Sequence, residues 1–324
     1  MEGRGRLRAT VRNSFISLPG GRTPAPARGR DQGLMMRSAA FGVSRSSPRP
    51  GRGARSSAVL VLLALGACSP PAPRELAAWD RSDEGNRARI DHGAWQEILE
   101  AYVAADPSGV HLVDYAGLAG NEAERTRLDG YVGSLEAVDP REYSRAEQMA
   151  YWINFYNALT VKVVVDAYPV DSIRDIHEGV VPYTGPWDDA HARVAGQDLT
   201  LNDMEHGILR PIWQDPRIHY AVNCAALSCP NLLLTAFTAE NTEALLEAGA
   251  VAYVNSTRGV DVVDEDLIIL SSIYDWYAVD FGETEADVIA HLQVYADDEL
   301  GAFLADFGGA IDYDYDWTLN RQAP

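Results

Sequence analysis

Two cysteines five positions apart, Cys224 and Cys229 in HYAVNCAALSCP (219–230), are the residues of this chain best suited to covalent chemistry. A thiolate attacks carbonyls and disulfides and binds metals, so what surrounds the pair decides its role. Read as a strand, IHYAVN puts Ile218, Tyr220 and Val222 on one face, with His219, Ala221 and Asn223 on the other. Cys224 then stands at the strand's end, where CAALS could open a helical turn whose positive end favours a thiolate. That elbow makes Cys224 the candidate nucleophile. The bland alternative is a small buried hydrophobe.

A nucleophilic cysteine needs a base and a group that orients it. His206, four residues before Arg210 on one helical face, is the first candidate base; His219, on the same strand as Cys224, is the second. Glu205 adjoins His206, but neighbours on an α-helix point about 100° apart. Glu205 also stands three residues after Asn202, where it can return to cap the helix start. Asn154 and Asn157, three apart on one helix face, could orient an imidazole, donate to an oxyanion or brace the core.

The same sulfurs admit other chemistry. A disulfide needs Cα atoms about 4.4–6.8 Å apart, whereas positions i and i+5 of a continuous α-helix lie roughly 8–9 Å apart. A Cys224–Cys229 bridge therefore requires a turn, and so small a ring would add only about 2 kcal/mol as a clamp. Cys-X4-Cys differs from thioredoxin-like Cys-X-X-Cys, and no paired ligand spacing points to a metal, so neither metal nor cofactor is expected. Asp275, Asp280 and Asp316 lie among Trp276, Tyr277, Phe281, Tyr315 and Trp317 as candidate pocket acids, though the aromatics read chiefly as packing.

The amino-terminal region reads differently. Residues 1–67 carry twelve arginines against Glu2 and Asp31, then an uncharged apolar run from Ala58 to Ala67. That run is too short to span a bilayer and suits a signal-peptide core. It ends in Leu65-Gly66-Ala67-Cys68, which resembles the lipobox of bacterial lipoproteins. The resemblance implies cleavage before Cys68, acylation of that residue and attachment to the cell envelope. Ser69 after the cysteine resembles lipoproteins sent to the outer membrane, facing the periplasm. The long leader suggests a true start at Met35 or Met36. A mature chain from Cys68 has about 257 residues and a net charge near −30, which disfavours nucleic acid and anionic headgroups as ligands. The expected partners are the membrane, through the lipid anchor, and a peptide or envelope ligand. If Cys68 is acylated, Cys224 and Cys229 are left alone in an oxidising compartment, where pairing is the default.

The elements that must position these side chains follow from the pattern. Residues 68–87 read as the lipidated cysteine and a tether, and 88–324 as one domain. Helical spacing marks 90–102 and 121–135, and most clearly SRAEQMAYWINFYNALTVKVVVDAYP, capped by Ser144 and Glu147 and ended by Pro169. HARVAGQDLTL and GVDVVDEDLIIL read as hairpins, NDMEHGILRPIW as a helix capped by Asn202 and stopped before Pro211, and RIHYAVN as a strand. Helices also follow near 238–256, 271–281 and 285–307, before an extended end. The sum is α+β: a helix-rich domain around a small, mostly antiparallel sheet.

YWINFYNALT (151–160), LNDMEHGILR (201–210), HYAVNCAALSCP, IYDWYAVDFG (273–282) and YDWTLN (315–320) together resemble the family called domain of unknown function 547, in its bacterial lipoprotein branch, over about 144–320. The resemblance implies no established reaction. From the residues, the leading expectation is thiol-dependent acyl transfer or amide hydrolysis through Cys224. The alternatives are a non-enzymatic binding or assembly module with a Cys224–Cys229 disulfide, or thiol–disulfide exchange by that pair.

Overall fold

The computed structural model describes residues 76–177 and 185–323; the leader, the apolar run and Cys68 lie outside them. Among the described residues no helix is long and apolar enough to cross a membrane. The chain opens with α1 (Gly93–Tyr102), the short antiparallel pair β1 (Val103–Ala105) and β2 (His111–Val113), α2 (Tyr115–Gly120) and α3 (Glu122–Glu136). The stretch expected as a tether already packs before this: Trp79 is buried and meets Trp152 edge-on at 5.3 Å.

α4 (Arg145–Ala167) is the axis of the domain. The Ser144 hydroxyl accepts from the Glu147 N–H and starts it. Eighteen of its 23 residues are buried, so it has no wet face and packs all round. Its polar interior residues must then be satisfied internally. Asn154 donates to the Phe237 carbonyl and accepts from its N–H, at 2.8 and 3.0 Å. Asn157 does the same between Ala221 and Asn223, donating to the carbonyl of the first at 2.9 Å and accepting from the N–H of the second at 2.8 Å. Both amides brace backbone, the third of the roles open to them.

β3 (Ala192–Val194) and β4 (Gln197–Leu199) form the expected hairpin, with Ala195 and Gly196 both at positive φ as a tight two-residue turn requires. The helix that follows departs from expectation. Thr200 and Asp203, not Asn202 and Glu205, make the reciprocal cap, and the Asn202 amide donates instead to Asp188. The segment Asp203–Leu209 then widens into a π-helix and continues through Pro211 as α5 (Arg210–Trp213). Pro211 has no N–H for the Gly207 carbonyl, and the Leu76 N–H takes that carbonyl at 2.8 Å. The helix therefore needs no stop there.

RIHYAVN is not a strand. Asp215 accepts from the Arg217 N–H and caps a 3-10 turn, Pro216–Tyr220, after which the chain runs irregularly. Ile218 through Asn223 are all buried, so the apparent alternation separated no faces. α6 (Thr242–Val254) and the hairpin of β5 (Val260–Val262) and β6 (Leu267–Ser271) come next. The expected 271–281 helix is two short ones, α7 (Ile273–Trp276) and α8 (Ala278–Phe281). α9 (Glu285–Tyr295) and α10 (Asp298–Asp306) divide where Asp297 caps the second. β7 (Ala310–Asp314) returns parallel to β6. The fold is α+β with three small, mostly antiparallel sheets.

Replacing Asn157 with Ala leaves the Ala221 carbonyl and the Asn223 N–H buried without partners. Unfolding free energy should fall by about 2–4 kcal/mol, measured by urea denaturation.

Candidate functional site

The cysteine turn has no regular structure and is held from outside. Residues 316–320 run along it: the Leu227 N–H donates to the Thr318 carbonyl and the Asn320 N–H to the Ala225 carbonyl, at 2.8 and 3.1 Å. The Ser228 hydroxyl takes the Asp316 N–H at 2.8 Å. Within the turn, the Asn223 side chain accepts from the Ala225 N–H and donates to the Pro230 carbonyl, while Ala225 adopts φ +62°. The Arg258 guanidinium binds the Cys229 carbonyl at 2.7 Å.

This geometry answers the question of helix or turn between 224 and 229: it is a turn. Cys224 is not at a helix N-terminus, and the dipole argument for its activation does not apply. The two thiols are free, with Sγ atoms 2.9 Å apart. The Cys224 N–H also points at Cys229 Sγ, at 2.8 Å, and the Tyr315 hydroxyl lies 3.1 Å from Cys224 Sγ. The hydrogen bond to Cys229 and then burial push the Cys224 thiol up. Burial acts to raise Cys229 too, but the S–H and N–H of Cys224 and the Tyr315 hydroxyl outweigh it and bring Cys229 below the ordinary thiol range. The buried Cys229, not the partly exposed Cys224, is the more acidic sulfur. Tyr315 was legible only as packing; with Trp276 and Trp317, 4.9 and 4.7 Å away between ring centroids, it walls this side of the turn.

The π-helix supplies the other half. It carries Glu205 and His206, both buried with the rest of Met204–Leu209. Glu205 Oε1 lies 3.8 Å from His206 Nδ1 and 3.9 Å from His219 Nδ1. His219 Nε2 donates to Asp280 Oδ2 at 2.6 Å, and Arg210 Nε reaches the same oxygen at 2.6 Å. Arg210 Nη1 lies 3.0 Å from His206 Nδ1, and a guanidinium can only donate, so His206 carries its ring proton on Nε2. Burial, with help from Arg210, lowers the His206 pKa against the opposing Glu205 charge. Tyr277 stacks on the His219 ring at 4.3 Å, with Arg210 over its own ring at 4.6 Å.

The two halves adjoin. The charges acting on the buried Tyr156 hydroxyl, after burial itself, are Glu205, Cys224, Tyr277 and Cys229. Yet the hydrogen-bond partners of Cys224 Sγ are Cys229 and Tyr315, and neither His206 nor His219 is among them. Of the three acids singled out in the sequence, only Asp280 joins the site. Asp275 and Asp316 are exposed, and the Asp316 carboxyl caps the Thr318 N–H. Among the described residues no group of three or more His, Cys, Asp or Glu side chains is arranged to hold a metal ion.

The family model described as "Protein of unknown function, DUF547" matches residues 140–254. The match supports membership of that family. The DUF547 segment contains Asn154, Asn157, Glu205, His206, Arg210, His219 and both cysteines, while Asp280 and Tyr315 reach the site from beyond it. No curated protein and no solved structure matches the chain.

Asp280 offers a measurable handle. Burial acts to raise its pKa, but the hydrogen bonds from His219 and Arg210 prevail and bring it down to about 2. A depressed carboxyl stabilises the fold above its unfolded pKa, and that stabilisation disappears as pH falls through the folded value. The stability gap between wild type and Asp280→Asn should therefore shrink by about 2 kcal/mol between roughly pH 5 and pH 2, read by denaturant titration at each pH.

Proposed function

We propose that the chain is an envelope lipoprotein of this family whose Cys224–Cys229 pair cycles between dithiol and disulfide. One observation carries the thiol reading: two sulfurs 2.9 Å apart in a turned segment, one of them acidified by the other. Closing to a disulfide at about 2.05 Å requires a shift of less than about 1 Å. With a disulfide-bearing partner as oxidant, the partly exposed Cys224 sulfur attacks one partner sulfur, passes its proton to Cys229 and releases the first partner thiolate. Cys229 then loses that proton and attacks Cys224 Sγ, which displaces the second thiolate. One partner disulfide becomes two thiols as the protein dithiol becomes a disulfide, so electrons and protons balance.

Acyl transfer draws less from the same geometry. It asks for an imidazole on the Cys224 sulfur, whereas His219 Nε2 is committed to Asp280 and His206 Nδ1 to Arg210. A permanently closed, structural bridge differs from a cycling pair in its reduction potential.

Free thiols should be counted on the mature protein equilibrated in glutathione buffers of graded potential. A reversible, cooperative loss of two thiols supports the cycle. Thiols that stay free in excess oxidised glutathione would refute it, and a bridge that resists every reducing buffer would mark a fixed clamp. The anchor is a separate matter: Cys68→Ala should move the protein from the membrane fraction to the soluble one, and unchanged fractionation overturns the lipoprotein reading.

A further inference from the structure

A thiol has one hydrogen, and its direction fixes the donors around Cys224. The Cys224 S–H points at Cys229 Sγ, 2.9 Å away, which also takes the Cys224 N–H. At the remaining contact of Cys224 Sγ, 3.1 Å long, the donor is therefore the Tyr315 hydroxyl. Once protonated, Cys229 has the Val222 carbonyl 3.9 Å from its sulfur to receive its S–H. The protons thus all face one way, from Tyr315 through Cys224 to Cys229. The hydroxyl at the head of this row is held in place. Trp276 and Trp317 flank its ring, and the backbone is pinned on both sides of Tyr315. The Asp314 carbonyl accepts from the Ser272 N–H at 3.0 Å, and the Asp316 N–H donates to the Ser228 hydroxyl at 2.8 Å. Burial, then the charges of both cysteines, push the Tyr315 hydroxyl well above the ordinary tyrosine range, so it keeps its proton.

This donor matters when the pair reacts. As Cys224 hands its proton to Cys229, negative charge moves to Cys224 Sγ, where neither His206 nor His219 is bonded. An O–H bond to a thiolate is charge-assisted and stronger than the same bond to a thiol. We infer that the Tyr315 hydroxyl is the catalytic hydrogen-bond donor of the pair, holding the charge on Cys224 Sγ while that sulfur attacks the partner disulfide. Its proton stays on oxygen throughout. One S–S bond forms, the partner's S–S bond breaks, and the hydroxyl only tightens and then relaxes its hydrogen bond. Such a bond enlarges the thiolate fraction and weakens the thiolate as a nucleophile. Nucleophilicity falls by only about 0.4–0.5 log unit per pKa unit, so the larger fraction prevails below the pKa and the weaker nucleophile shows above it.

The inference rests on the thiol reading, so its test uses a protein that cannot cycle. Cys229→Ala is compared with Cys229→Ala/Tyr315→Phe, which keeps the ring against Trp276 and Trp317. Alkylation of Cys224 by iodoacetamide is followed at its own peptide by mass spectrometry, from about pH 6 to about pH 11. The Phe variant should raise the apparent Cys224 pKa by about one unit or more. Its alkylation near pH 7 should be about threefold slower or more, with a gap that closes or reverses toward the alkaline end. An unshifted pKa overturns the inference. A loss of the same factor at every pH marks a packing role alone and overturns it too. If Cys229→Ala does not fold, Tyr315→Phe is compared with wild type by the same peptide readout. Thiols that refuse to close in oxidised glutathione would sink the cycle without moving this profile, and an unshifted profile would leave the cycle standing.

Discussion

The site depends first on a hydrogen-bonding constraint: a buried, irregular turn cannot satisfy its own backbone. Residues 221–230 belong to no helix and contribute only one isolated bridge, Ala226 to Leu319, yet seven of the ten are buried and none is fully exposed. The Asn157 amide and the 316–320 strap supply what a helix or sheet would have supplied internally. Two distant parts of the chain, α4 and the carboxyl-terminal strap, thereby fix the separation of two sulfurs. The buried amide sets reactivity through position and touches no sulfur.

Electrostatics ties the thiols to the acid–imidazole cluster. The Glu205 charge acts to raise both Cys224 and Cys229, so the acid–imidazole cluster restrains the pair. Asp280 works in the opposite sense: low in pKa and bonded to both His219 and Arg210, it is matched within the protein. Two acids within one cluster are made different by their partners, not by their chemistry.

The helices were legible because period and caps agree. Helical spacing over 121–135 corresponds to α3 at Glu122–Glu136, and Ser144 begins α4 where the sequence places it. The errors share one physical cause: information held in remote partners. Alternation in RIHYAVN implied two faces, but every residue from Ile218 to Asn223 is buried, so period carried no meaning there. Pro211 looked like a stop because nothing nearby in sequence shows that the Leu76 N–H will take the Gly207 carbonyl. Asn154 and Asn157 were visible as buried amides, yet which backbone they clamp was not.

The relation between Glu205 and His206 was the harder thing to read, because the segment that carries them is a π-helix. With α-helical spacing Glu205 and His206 diverge, and a capping role for Glu205 becomes the natural reading. The cap is made by Thr200 and Asp203 instead, and Glu205 lies 3.8 Å from His206 and 3.9 Å from His219. Register of this kind leaves no periodic trace over seven residues. The sign available in the sequence was chemical: Glu, His and Arg at 205, 206 and 210 on a segment otherwise apolar enough to be buried. Polar side chains placed where burial is unavoidable must find partners. Arg210 and His206 found theirs in each other, and Arg210 in Asp280 as well.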